Sequence, residues 1–117
     1  MTPTNNPDVV YRFARREAGR NSTGSLFSPD GTWLFSYGDH FPLARFEGGR
    51  LIVNDARASV TTSCQQTMLR AELVRSGWRP TDERETLPGY DRLSGLGAAG
   101  YVDFPATVWE RVPRRQS

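Results

Sequence analysis

Lysine is absent from this sequence, and histidine and cysteine occur once each, as His40 and Cys64. A single cysteine excludes an internal disulfide and every multi-cysteine zinc pattern. A single histidine excludes the histidine-rich catalytic metal sites, so no metal ligand set and no cofactor is expected. No apolar run approaches the roughly 18 residues that span a bilayer, so no membrane partner is expected. Residues 1–8 are polar and proline-bearing, without the hydrophobic segment of a signal peptide. The expected compartment is therefore the cytoplasm, of the producing cell or of a host. Neither an internal repeat nor a low-complexity tract is present.

All fifteen basic side chains are arginine, a bias that points to a GC-rich coding source rather than to a function. Every cation is then a planar, always-charged fork suited to carboxylate or phosphate. The net charge of +2 is too small for the chain as a whole to hold nucleic acid by bulk charge. With 117 residues, 37% of them hydrophobic, there is material for one modest core. Residues 1–8 read as a flexible leader, 9–112 as a single α+β domain and 113–117 as a basic tail. The expected fold is an antiparallel meander of about five to seven short strands on one main helix at about residues 62–76.

Local pattern gives the elements. Val9, Tyr11 and Phe13 alternate with polar residues, as on a half-buried strand; a helix over residues 9–18 is the competing reading. Ser28-Pro29-Asp30-Gly31 is a turn, with proline presetting φ at its second position. It leads into a strand from Thr32 through Trp33, Phe35 and Tyr37. The turn resembles one hairpin of a propeller blade, but a propeller repeats a unit of about forty residues, and here there is one copy. Phe41 to Glu47 and Arg50 to Val53 are strands joined at Gly48-Gly49, a tight-hairpin signal. Thr61, Thr62 or Ser63 can cap the main helix, with Gln65 or Gln66 at capping-box spacing. Gly77 suits its C-terminal end, and Pro80 forbids continuation. Cys64, Met68, Ala71 and Val74 fall near one helix face and Leu69 and Leu73 on another, which makes those leucines a candidate partner surface. Residues 79–100 read as a long irregular loop, and two short strands close the domain.

No catalytic constellation emerges. Asp39 and His40 are neighbours whose side chains diverge on a strand. Cys64 in a first helical turn has a physical route to a lowered thiol pKa, but on an apolar face it is core filler. Glu72, Asp82, Glu83 and Glu85 show no spacing that converges two carboxylates. Gly95-Leu96-Gly97 lacks the strand and lysine of a phosphate loop. Arginines and aromatics remain: Arg12, Arg15, Arg16 and Arg20 early, Arg45, Arg50 and Arg57 around the hairpin, and Trp33, Phe35 and Tyr37 interleaved nearby. A sheet exposing such residues can stack single-stranded bases; buried aromatics with arginines on the solvated face are the alternative.

Two stretches carry a resemblance. Ser36-Tyr37-Gly38-Asp39-His40-Phe41-Pro42-Leu43-Ala44, with Asn54 and the run Ser59-Val60-Thr61-Thr62-Ser63-Cys64-Gln65-Gln66, resembles small, mostly uncharacterised proteins of phages, plasmids and other mobile elements. In those, a Ser-Tyr strand precedes an Asn…Ser-x-Thr-Thr-Ser helix start. A histidine often stands before the glutamine, where this chain has Cys64. The resemblance implies a mobile-element origin. With it, the expected function is a non-catalytic binding or inhibitor protein that docks on a host protein or nucleoprotein complex handling nucleic acid or defence, as anti-CRISPR proteins do. Arginine and aromatic residues are the usual anchors of such interfaces. The alternatives are a single-stranded nucleic-acid binder and, third, a cysteine-dependent enzyme.

Overall fold

The computed structural model describes residues 5–36, 41–56, 60–91 and 100–112. The elements run α1 (Asn6–Ala14), β1 (Gly19–Arg20), β2 (Leu26–Ser28), β3 (Trp33–Ser36), β4 (Phe41–Glu47), β5 (Arg50–Asn54), α2 (Val60–Arg75), β6 (Trp78–Asp91) and β7 (Gly100–Arg111). The strands form one seven-stranded antiparallel sheet in the order β1-β2-β3-β4-β5-β7-β6. The α+β class and the antiparallel sheet hold, but only β1 to β5 run as a meander: β7 pairs with β5 and puts β6 at the edge, two helices rather than one accompany the sheet, and β6 and β7 are long. No helix among the described residues is long and apolar enough to cross a membrane.

The segment around Val9 is a helix, not a strand, and its first turn begins inside the stretch read as a leader. The Asn5 side chain accepts a hydrogen bond from the Asp8 backbone N–H at 3.0 Å, and Pro7 and Asp8 occupy the first turn. Cap, proline and acid are the standard start signals of a helix. Val9, Val10 and Phe13 are buried and Tyr11 is exposed, a helical face that alternation imitates at three positions.

The turn before β3 forms as its residues dictate. Ser28 Oγ accepts from Gly31 N–H at 2.9 Å, and Asp30 Oδ1 accepts from the Thr32 and Trp33 amides. Both the Gly48-Gly49 hairpin and the Gly77 helix end are also where the sequence puts them: Glu47 pairs with Arg50, and Gly77 has φ +91°. Trp78 then turns back into the core beside Leu73.

The expected loop over residues 79–100 is instead mostly strand. β6 pairs with β7 along its length, and the register slips between Pro80 and Arg84. Pro80 and Pro88 fit because β6 is an edge strand, where a missing amide donor costs no ladder bond. Residues 92–99 lie outside the described residues. β6 curls back far enough to touch β4 and β5 as well as β7.

Both helices bury side chains against one face of the sheet. Val9, Val10 and Phe13 from α1 and Leu69 and Leu73 from α2 meet Leu26, Leu34, Phe46, Leu51 and Trp109. Leu69 and Leu73 are both 0% exposed; they are core and offer no partner surface. The buried side of α2 is Thr62, Gln65, Gln66, Leu69, Glu72 and Leu73, a 3.6-residue period written half in polar residues. The face read as apolar turns out the other way: Cys64, Ala71 and Val74 are exposed, and only Met68 packs against the core. Thr61, Thr62 and Ser63 sit within the helix rather than at its cap, because it begins at Val60.

Candidate functional site

The face of the sheet away from the helices carries the aromatic residues of β2 and β3. Leu26, Leu34 and Ser36 point to the helices, so the alternating Phe27, Trp33 and Phe35 point the other way and are only partly buried. They stack in a row: Phe27 and Phe35 have ring centroids 5.5 Å apart, and Phe35 and Trp33 lie 5.6 Å apart and nearly parallel, at 2°. The Arg45 guanidinium caps the row 5.1 Å from the Trp33 centroid, a favourable cation–π geometry. Trp33 is anchored underneath by Ile52, Leu87 and Ala106, where β6 curls over.

Acids accompany the arginines of this face. Arg45 pairs with Glu47 at 3.5 Å. Arg50 meets Glu83 at 2.7 Å, Glu47 at 3.5 Å and Glu85 at 4.0 Å. The hydrogen bond from Arg50 to Glu83, with the charge of that carboxylate, raises the guanidinium pKa above its ordinary value, so Arg50 stays charged at any physiological pH. The carboxylates of Glu83 and Glu85 therefore do converge, but on an arginine. Partly exposed pairs of this kind add little stability; their effect here is to neutralise both arginines at the rim of the aromatic row, where three carboxylates face two guanidinium groups.

Of the early arginines, Arg20 joins this face, opposite Phe27 across β1 and β2, but Arg12, Arg15 and Arg16 do not. Arg12 pairs with Asp8 at 3.1 Å. Arg15 stacks over Tyr11 at 3.6 Å and donates to the Tyr11 carbonyl. Arg16 leaves α1 with φ +60°, donates to the Gly48 carbonyl at 2.8 Å and lies over the Phe46 ring; it ties α1 to the β4–β5 hairpin. Tyr37 and Arg57 lie outside the described residues, as do Asp39 and His40.

A second feature lies under the N-terminal half of α2. Ser36 Oγ donates to Gln65 Oε1 at 2.7 Å and lies 3.0 Å from Thr62 Oγ1, while Gln65 Nε2 donates to the Ser25 carbonyl. Gln66 Nε2 donates to the carbonyls of Asn54 and Ala56, and Asn54 Nδ2 donates to that of Pro42. Beside them Asp55 receives Arg70, Arg84 and Thr107. Ser36, Asn54, Thr62, Gln65 and Gln66 are all buried. The two stretches that carry the resemblance thus meet in one hydrogen-bonded cluster. Its members satisfy one another, and each group left unpaired there would cost about 1–3 kcal/mol, so the cluster reads as a structural clasp between helix and sheet.

Among the described residues, no group of three or more His, Cys, Asp or Glu is placed to hold a metal ion. Cys64 is exposed on the outer face of α2. Sequence reasoning missed the row through Phe27, which a short strand before a turn concealed. It also missed a group of arginines at the far end of α2, Arg75 and Arg111 with Arg15, which only the fold brings together. Comparison with known proteins finds no matching family model, no matching curated protein and no matching solved structure.

Proposed function

We propose that this chain is a non-catalytic binding protein, of mobile-element origin, that docks on a host protein through the helix-free face of its sheet. The observation that carries the reading is the partly exposed row Phe27–Phe35–Trp33 with Arg45 over its end. Stacked aromatics held rigid by the sheet present contact area at low entropic cost, and Trp, Tyr and Arg dominate interface hot spots. The mixed-charge rim of Arg45, Arg50, Glu47, Glu83 and Glu85 selects the partner: an apolar protein patch edged by charges of both signs. A polyanion is poorly served, because its affinity depends on cations free to replace its counterions, and here those cations already have carboxylates. The resemblance of the Ser36 and Asn54 stretches to mobile-element proteins points to a nucleic-acid-handling or defence complex as the host target.

The test compares capture of host proteins by the wild type, a Trp33→Ala/Phe35→Ala double variant and Thr67→Ala, a control on the exposed outer side of α2. Losing two anchors should weaken the captured complex about thirtyfold or more, a hot-spot loss of ~2 kcal/mol, with melting curves checking that the variant is folded. Equal capture by all three proteins refutes the docking face. The single-strand alternative makes the opposite claim: the same double substitution would abolish binding of an oligonucleotide and leave protein capture intact.

A further inference from the structure

Arg45 and Arg50 on the helix-free face of the sheet have carboxylates within ion-pair distance. Where α1 and α2 end, Arg75 pairs with Glu72. Two adjoining cavities of about 300 Å³ each open there and share Ser76 and Arg111; Arg75, Gly77 and Val112 line one, and Ala14, Arg15 and Trp78 line the other. Among the described residues, no acidic residue lines either cavity. Among the described residues, neither Arg15 nor Arg111 has a carboxylate partner.

The groove lies at a helix C-terminus, where the backbone alone repels anions. Four carbonyls around this end are already engaged: Glu72 and Leu73 O accept from Ser76 N–H, Val74 O from Gly77 N–H and from Arg79, and Gly77 O from Val112 N–H. The carboxylate that reaches groove residues is Glu72, 6% exposed. It takes the Ser76 hydroxyl at 3.1 Å and Arg75 at 3.4 Å, so it orients two groove residues while offsetting one of the three arginine charges. Arg15 is held by its stack on Tyr11. The outcome is a net positive, partly pre-oriented pair of lobes sharing one arginine.

From this geometry we infer that the groove binds phosphate, with one phosphate group in each lobe and Arg111 between them. Arginine forks engage phosphate oxygens in bidentate fashion; the Ser76 hydroxyl proton is already given to Glu72, so the donors of the site are the guanidinium groups. Two connected lobes match phosphates in series, as in a nucleic-acid strand or a free diphosphate. The site shares no residue with the aromatic row, so it stands or falls independently of the docking face; together the two surfaces would let the protein straddle a nucleoprotein complex.

The experiment titrates inorganic pyrophosphate and, separately, a twelve-nucleotide oligothymidylate into the ¹⁵N-labelled protein at low salt. Amide shifts should concentrate at Ser76, Gly77 and Arg111. Arg111→Ala should weaken both ligands about tenfold and lower the salt slope for the strand by about 0.7, the value of one phosphate contact. Arg15→Ala should act in the same direction, while Arg20→Ala, which removes an exposed cation elsewhere, should leave both within twofold. Pyrophosphate binding as tightly as the strand identifies a free diphosphate as the ligand, and a strand bound more than tenfold tighter identifies nucleic-acid backbone. Shifts spread evenly over the surface, an Arg20→Ala loss equal to that of Arg111→Ala, or polyglutamate bound as well as the oligonucleotide would each overturn the site.

Discussion

Gly31→Ala should destabilise the fold by about 3–5 kcal/mol, the sum of a left-handed backbone for a residue with a side chain and a clash in a packed region. Gly31 has φ +77°, and a Cβ built on it lies 2.2 Å from the Arg16 carbonyl oxygen and 2.5 Å from the Arg16 carbonyl carbon. Neither atom can step aside as the end of a side chain would. They belong to the residue that leaves α1 with φ +60° and is tied to the Gly48 carbonyl. The turn between β2 and β3 therefore serves as the seat on which α1 ends. Denaturant unfolding monitored by far-UV circular dichroism reads the loss. A change below ~1 kcal/mol would mean that the turn and the helix end do not meet as described.

Phe13→Ala should cost about 3–5 kcal/mol, the usual range for a buried phenylalanine, and Tyr11→Ala less than ~1 kcal/mol. The contrast matters more than either value. On a strand, residues 11 and 13 would share a face and respond alike. On α1 they separate: Phe13 is 0% exposed and stacks 5.0 Å from Phe46, whereas Tyr11 is 46% exposed and supports only Arg15. Comparable losses from the two substitutions, measured in the same unfolding assay, would reinstate the strand.

Much of the fold was legible where backbone chemistry is local. The Pro29-Asp30-Gly31 turn, the Gly48-Gly49 hairpin and the Gly77-Trp78 helix end all follow from residues that have few other conformational uses. Reading failed where the signal depended on tertiary context. α1 hid behind a three-residue alternation, although the Asn5 cap and Pro7 were there to be weighed. The α2 face was inverted because its buried side holds polar residues: Thr62, Gln65 and Gln66, which groups of the sheet satisfy, and Glu72, which Ser76 and Arg75 at the helix end satisfy. β6 was lost because Pro80 and Pro88 argue against a strand until its edge position is known. Of the site, Arg45 and Arg50 were anticipated, but not the acids that balance them. Arg75 and Arg111 are far apart in sequence, and no spacing rule joins them.

Whether the sheet face is the docking surface can be asked without knowing the partner. A photoreactive phenylalanine analogue placed at Phe35, and separately at the exposed Thr67 on the outer side of α2, would be irradiated inside host cells. The account expects a single protein adduct from position 35, lost when Trp33→Ala is added, and none from position 67. Adducts from position 67 alone, equal adducts from both, or crosslinks from position 35 to nucleic acid in place of protein would contradict it.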